Sequence, residues 1–201
     1  MLKTAAPDRR EQLLDAAVAC FADHGYNASK VSDVVARAGV AQGTFYLYFK
    51  SKREVLLALF ERFCRTLLEA IGEGDAVPAA PDEYRAQVLA RTRGVLRVTA
   101  EHRRLAGVFF KEAIGGDPEL EGQLRAFHNA VAELGRRRLA SAIEMGVVRP
   151  VDPEVAAYAI NGMWERVVTH CVLMNPDPPD LDRLAEQVVS LQLDGLTPRP
   201  S

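Results

Sequence analysis

One short segment of the chain, residues 42–49, concentrates hydrogen-bonding side chains whose chemistry suits the reading of nucleic acid. The amide of Gln42 can bond an adenine edge at two points, and the methyl group of Thr44 can touch a thymine methyl. The hydroxyl groups of Tyr46 and Tyr48 suit phosphate oxygens. The segment therefore carries the residue types that a DNA-reading helix requires.

Basic residues are concentrated in the same part of the chain. Residues 1–53 hold eight Lys/Arg and five Asp/Glu, a net charge of +3, whereas the rest of the 201-residue chain has a net charge of −5. Four of the five lysines lie in this first part: Lys3, Lys30, Lys50 and Lys52. Such an asymmetry indicates a local contact with a polyanion. Lys52 and Arg53 open a predicted helix, where cations oppose the helix dipole, and a docked phosphate would relieve that conflict.

The elements that must position these side chains are all predicted to be helices. Apolar residues recur at helical spacing, and no stretch alternates as a strand does. The first helix opens at Asp8, in a capping box with Glu11, and ends at Gly25. A second helix from about residue 29 ends at Gly39, and residues 42–49 form a short third helix. Helix, sharp turn and short helix make a helix-turn-helix arrangement.

Start and stop signals divide the remaining chain into further helices. A capping box at Ser51 and Glu54 opens a long helix that reaches about residue 68. The other predicted helices cover about residues 82–99, 103–114, 118–145, 153–174 and, after the turn at 177–180, up to 193. About nine helices in all predict an all-α protein.

Four stretches together resemble the N-terminal domain of TetR-type transcriptional regulators: residues 14–21, 25–26, 31–40 and 43–52. The last, Gly-Thr-Phe-Tyr-Leu-Tyr-Phe-Lys-Ser-Lys, is highly specific. The resemblance implies that double-stranded DNA is the partner and that these residues bind it: Gln42, Gly43, Thr44, Tyr46, Tyr48 and Lys52. Ser29 or Lys30 is expected to add a contact to a phosphate of the DNA backbone. Ala41 departs from the family, which usually has a capping serine there, and this is expected to loosen the third helix by up to about 1 kcal/mol. Lys30 replaces a common hydroxyl residue and adds a charge.

The resemblance also implies three regions and a dimer. They are a helix-turn-helix DNA-binding domain over residues 1–52, a helical effector-binding and dimerisation domain over 53–195, and a flexible tail over 196–201. In the family the two C-terminal helices form the homodimer interface, and here Ala156, Ala159 and Gly162 permit close helix approach. Leu181, Leu184, Val188 and Leu191 share one face of the last helix. Two-fold pairing would read a palindromic operator, although these faces also suit a monomer core.

An effector site is predicted from apolar residues interleaved with a few polar ones on the middle helices. The candidate ligand-binding residues are Phe63, Leu67, Phe109, Phe110, Phe127, His128, Asn161 and Trp164. Their composition favours a small, largely apolar effector such as an acyl-CoA, a fatty acid or an aromatic acid. Plain core packing is the alternative, since such stripes are more often core.

The sequence thus predicts a homodimeric TetR-type repressor that a small ligand releases from its operator. A helical DNA-binding protein without an effector is one alternative, and a small helical enzyme is another. The enzyme is disfavoured because no HExxH, GxSxG or phosphate-loop pattern occurs. Three widely spaced cysteines support neither a disulfide framework nor a metal site, and no cofactor is expected. No apolar run approaches the roughly 20 residues of a membrane span, so a cytoplasmic location without membrane contact is expected.

Overall fold

A computed structural model of the chain describes residues 8–72, 76–114, 117–175, 177 and 179–195, with the side chains of all but 110–114. Within these residues every regular element is a helix, which confirms the predicted all-α class. The α-helices are α1 (Arg9–His24), α2 (Val31–Ala38), α3 (Gln42–Tyr48), α4 (Lys52–Ile71), α5 (Pro81–Glu101), α6 (Arg103–Ile114), α7 (Pro118–Glu144), α8 (Pro153–Val167) and α9 (Leu181–Asp194). None of the described helices combines the length and apolar character that a membrane span needs.

The predicted helix over residues 153–174 differs in its second half. A π-helical segment, Val168–Leu173, continues α8. The backbone N–H of Met174 donates to the carbonyl of Thr169, five residues earlier, at 2.9 Å. Apolar periodicity predicts a helix but does not distinguish an α-helical turn from the slightly wider π-helical turn.

Helix starts follow their capping residues. The Asp8 carboxylate accepts from the Arg10 N–H at 2.9 Å, and Asp152 caps α8 in the same way. The predicted capping box of α1 is only half right, because the Glu11 carboxylate does not accept from the backbone N–H of Asp8. It instead accepts from the Arg62 guanidinium at 2.8 Å. In the capping box predicted for α4, the Ser51 hydroxyl accepts from the Glu54 N–H at 3.2 Å as expected, but the Glu54 carboxylate accepts from the Lys50 N–H.

The chain forms two compact units. The first comprises residues 1–63 and 104–121. In it α1 packs on α2 and α2 packs on α3, and the Gln12 amide donates to the Ala38 carbonyl at 2.7 Å. Its buried core includes apolar side chains from each of these helices: Leu13, Leu14, Ala17, Phe21, Val34 and Phe45.

The second unit comprises residues 64–103 and 122–201, and in it α5 packs on α9 and on the π-helical segment. Leu96, Val172 and Ala185 form its buried centre. Arg93 of α5 pairs with Asp182 (2.7 Å) and Glu186 (3.0 Å) of α9. The predicted functional boundary at residue 52 stays a prediction, and the predicted tail over residues 196–201 lies outside the described residues.

Candidate nucleic-acid interface

The turn that precedes α3 depends on one glycine. Gly39 has φ 65° and ψ 34°, the left-handed conformation that side chains with a Cβ disfavour. Its N–H donates to the Ala36 carbonyl at 3.2 Å, and the Val40 N–H donates to the Val35 carbonyl at 3.1 Å. These bonds end α2 and let α3 begin only three residues later, as the helix-turn-helix prediction requires.

The short helix α3 is anchored on one side and open on the other. Phe45 and Phe49 are buried, and their ring centroids lie 5.8 Å apart. The Tyr46 ring packs edge-on against the Phe45 ring with the two centroids 5.4 Å apart, yet 54% of the surface of Tyr46 remains exposed. Tyr48 and Gln42 are also exposed. The side chains predicted to read DNA therefore lie outside the core, on a helix that two phenylalanines hold in place.

Of the two alternative contacts predicted before α2, one lies on a buried side chain. Ser29 is 2% exposed, and its hydroxyl donates to the Gly25 carbonyl at 2.7 Å while lying 3.1 Å from the Cys20 carbonyl. This side chain holds the turn together and does not face solvent. Lys30, which the sequence offered as the alternative phosphate contact, is exposed. Its backbone N–H donates to the Asp33 carboxylate at 2.8 Å.

Lys52 reaches back into the same turn. Its ammonium donates to the carbonyls of Tyr26 (2.6 Å), Ser29 (2.8 Å) and Asn27 (3.3 Å). It also lies 4.3 Å from the centroid of the Tyr26 ring, in a cation–π contact. The conflict between this cation and the dipole of α4 is thus relieved inside the protein. The phosphate contact that the resemblance predicts for Lys52 would have to compete with these three carbonyls for its N–H donors.

Arg53 likewise has partners within the chain, at the start of α7. Its guanidinium contacts both carboxylate oxygens of Asp117, at 2.8 and 2.9 Å, and Glu119 at 2.7 Å. Asp117 also caps α7 by accepting from the N–H groups of Glu119 and Leu120. The Arg53 guanidinium and the two N–H groups lower the pKa of the Asp117 carboxyl to about 2. An external phosphate is therefore not needed to balance Arg53.

Sequence reasoning missed Leu47, which lies between the two tyrosines of α3. Its side chain is 81% exposed, more than any other large apolar side chain that the structure describes. Its position two residues from both Phe45 and Phe49 was the available signal, since that spacing places it opposite the anchored face.

The described ligand-binding candidates are divided between the two units. Within the first unit, the Phe109 ring packs against Phe63 at 5.9 Å and edge-on against Phe60 at 5.0 Å. Within the second, Trp164 packs against the buried centre and donates to the Gln192 side chain at 3.3 Å. The remaining candidates are buried or half-buried: Leu67, Phe127, His128 and Asn161. The Phe110 side chain lies outside the described residues, and the ligand role of the whole set stays a prediction.

Cys20 and Cys64 lack the surroundings of a reactive nucleophile. Burial raises the pKa of the Cys64 thiol to about 12 and also raises the pKa of the Cys20 thiol. A catalytic cysteine needs the opposite shift. Among the described residues, no group of three or more His, Cys, Asp or Glu is arranged to hold a metal ion.

Known families match both parts of the chain. Residues 13–59 match the bacterial regulatory proteins of the tetR family, and residues 81–169 match the tetracyclin repressor-like C-terminal domain. The chain is 31% identical over 186 residues to the fatty acid metabolism regulator protein of Bacillus subtilis (strain 168). That alignment covers 92% of this chain and 94% of the relative.

Solved structures show the same likeness over the full length. The regulator FadR from Bacillus subtilis, in complex with stearoyl-CoA, is 31% identical, with a TM-score of 0.73 and coverage of 93% of this chain and 99% of that one. The fatty acid degradation regulator FadR from Bacillus halodurans is 28% identical, with a TM-score of 0.75 and coverage of 98% and 100%. These relatives are regulators and not enzymes. The chain therefore belongs to the TetR family of bacterial transcriptional regulators.

Proposed function

We propose that this regulator is a homodimeric repressor that binds a palindromic operator and is released by a small, largely apolar effector of the acyl-CoA or fatty acid class. The observation that carries the proposal is α3, where polar side chains lie exposed on a helix anchored by Phe45 and Phe49. The likeness to a FadR solved with stearoyl-CoA supports the effector class. The protein acts by binding and not by turnover, in the cytoplasm, where bacterial DNA lies.

In the proposed complex α3 lies in the major groove. Gln42 and Thr44 contact base edges, while Tyr46, Tyr48 and Lys30 contact phosphates. Gly43 supports this placement, because a Cβ added there would meet nothing within 4 Å. The bare glycine lets the helix backbone approach the DNA closely.

The proposed dimer is supported by an apolar face on α8. Val155 is 66% exposed and Tyr158 is 55% exposed, and Ala159 and Gly162 are exposed beside them. This i, i+3, i+4, i+7 spacing makes one continuous stripe. A second copy of the chain is the proposed cover, since two-fold pairing brings two α3 helices to a palindrome.

The proposed contribution of α9 is narrower than the sequence suggested. Leu181 and Leu184 pack against the chain's own buried centre, and Val188 is buried. Leu191, at 40% exposure, remains available for the partner. In this proposal Leu181 and Leu184 therefore belong to the core of the monomer, which was the alternative role that the sequence left open for this face.

Release follows from a population shift. An effector that binds better to the conformation whose two α3 helices are wrongly spaced draws the dimer into that conformation. The operator then loses one of its two contacts, and affinity falls. An effector with equal affinity for both conformations would release nothing.

A selection from random duplexes at a stated salt concentration tests the DNA-binding part. We expect a palindrome. Stearoyl-CoA, stearate and benzoate are then added separately to the operator complex, with free CoA as the control. Release by the acyl compounds, together with a higher melting temperature, supports the effector class. If the selection enriches no sequence, the proposed repressor function is contradicted. If operator binding and the melting temperature stay unchanged with every compound, the proposed effector class is contradicted.

A further inference from the structure

We infer that Leu47 reads the C5-methyl group of a thymine in each half of the operator. The inference rests on the proposed function and adds a specific base contact to it. The Leu47 side chain is 81% exposed on α3, whereas Phe45 of the same helix and its C-cap residue Phe49 are buried.

Helical geometry places Leu47 at the outermost point of α3. Successive residues turn by about 100° around a helix axis, so a residue two positions from both anchors points away from them by about 160°. Phe45 and Phe49 define the anchored side, and Leu47 therefore projects directly outward. No other position of this seven-residue helix is equidistant from both anchors.

The neighbours of Leu47 on the outer face keep it accessible. Gly43, four residues earlier, has no side chain, and the space beside it is open to 4 Å. Thr44, three residues earlier, is half-buried and adds a methyl group at the edge of this face. Gly43 and Thr44 therefore leave the Leu47 side chain accessible, between the exposed residues Tyr46 and Tyr48.

The chemistry of the major groove selects the partner. A leucine side chain has no donor or acceptor, and against a guanine or cytosine edge it would remove water from polar atoms without replacing their hydrogen bonds. Thymine presents the one apolar group among the base edges of the major groove, its C5-methyl. Contact between this methyl and Leu47 buries apolar surface on both sides.

Replacement of thymine by uracil in the selected operator tests the contact, because uracil lacks only that methyl group. Each thymine is replaced in turn, symmetrically in both half-sites, and affinity is measured for the wild type, Leu47→Ala and Tyr46→Phe. At one position we expect the wild type to lose about fourfold in affinity per half-site, the value of one buried methyl group. Leu47→Ala should be insensitive at that position, and Tyr46→Phe should remain sensitive.

The outcomes separate the inference from the proposed function. Tight, sequence-specific binding with equal uracil sensitivity in the wild type and Leu47→Ala overturns the contact and leaves the repressor standing. Enrichment of no sequence by the wild type overturns both. Because Leu47 is exposed, Leu47→Ala should melt at the wild-type temperature, and this measurement excludes loss of folding as the cause.

Discussion

At the scale of single residues, Lys52 shows how a charged side chain can complete a turn. An ammonium has three N–H donors, and three carbonyl oxygens of residues 26, 27 and 29 accept from this one. These carbonyls follow the end of α1, where the backbone has few partners of its own. The turn that carries Ser29 and Lys30 into α2 is thereby tied to the first residue of α4.

This geometry separates the roles of two lysines. The logarithm of operator affinity falls linearly with the logarithm of salt concentration, and each phosphate contact adds about 0.9 to the steepness of that slope. We expect Lys30→Met to reduce the slope by about that amount in each subunit and to leave the melting temperature unchanged. Lys52→Met should instead lower the melting temperature and keep the slope, because three carbonyls lose their donor.

Operator titrations at several salt concentrations, with thermal melts of both variants, check this prediction. A reduced slope with unchanged melting in Lys52→Met would show that Lys52 contacts a phosphate after all. Lys50→Met is a useful reference, since Lys50 is an exposed lysine nearby on the chain.

At the scale of elements, α3 is too short to be stable alone. It spans seven residues, and its N-cap residue Ala41 makes no side-chain hydrogen bond. Ala41 already has the extended backbone of an N-cap, with φ −71° and ψ 149°. Packing of Phe45 and Phe49 therefore stabilises α3, which has no side-chain cap at its N-terminus.

Ala41→Ser should stabilise the protein by about 1 kcal/mol, because a serine hydroxyl can accept from an N–H group of the first turn. Operator affinity should rise with it, since α3 would be better ordered before binding. Urea unfolding and operator titration provide the measurements. Ala41→Val, which adds a side chain without a cap, should show neither gain, and an equal gain from valine would refute the capping explanation.

A second element-scale prediction concerns the ion pair that joins the first turns of α4 and α7. The folded pKa of Asp117, about 2, lies below its ordinary value of 3.8. The charged pair therefore stabilises the fold above about pH 4, and this contribution disappears as the pH falls through about 2.

Asp117→Asn keeps a side chain that can cap α7 but removes the charge. We expect it to melt slightly below the wild type at neutral pH, with a small difference because both partners are partly exposed. The difference should shrink as the pH approaches 2. Melting curves of both proteins from pH 2 to 7 measure this difference in melting temperature. A difference that does not change with pH would show that the carboxylate charge is not its cause.

At the scale of the whole molecule, the exposed face of α8 predicts how the protein assembles. A Cβ added at Gly162 meets nothing within 4 Å, so the single chain tolerates a larger side chain there. A partner packed closely on this face would not tolerate it. Gly122 on α7 is an equally open helical glycine and provides a matched control.

Gly162→Arg should therefore be folded but monomeric and should lose tight operator binding, because one DNA-binding domain makes too few contacts. Gly122→Arg should remain dimeric and bind normally. Sedimentation velocity and operator titration of both variants test the assembly. A dimeric Gly162→Arg would place the interface elsewhere on the molecule.

The sequence by itself determined the helices and the reading segment. Capping residues such as Asp8 and Asp152, the glycine at position 39 and apolar periodicity act over a few neighbouring residues, so their structural consequences can be predicted locally. The same local patterns identified Gln42, Thr44, Tyr46 and Tyr48 as one polar group on a short helix. The bounds of α3 include all four residues, of which Thr44 is half-buried and the other three are exposed.

Only the tertiary structure decided where the flanking charges and hydroxyl groups point. Lys52 meets Tyr26 across 26 positions of the chain, and Arg53 meets Asp117 across 64. The burial of Ser29 likewise depends on α1 and α4, because its hydroxyl lies 3.1 Å from the Cys20 carbonyl and its own carbonyl accepts from Lys52. A charged side chain takes whichever partner the packed helices bring within about 3 Å, and no pattern of adjacent residues records which partner that is.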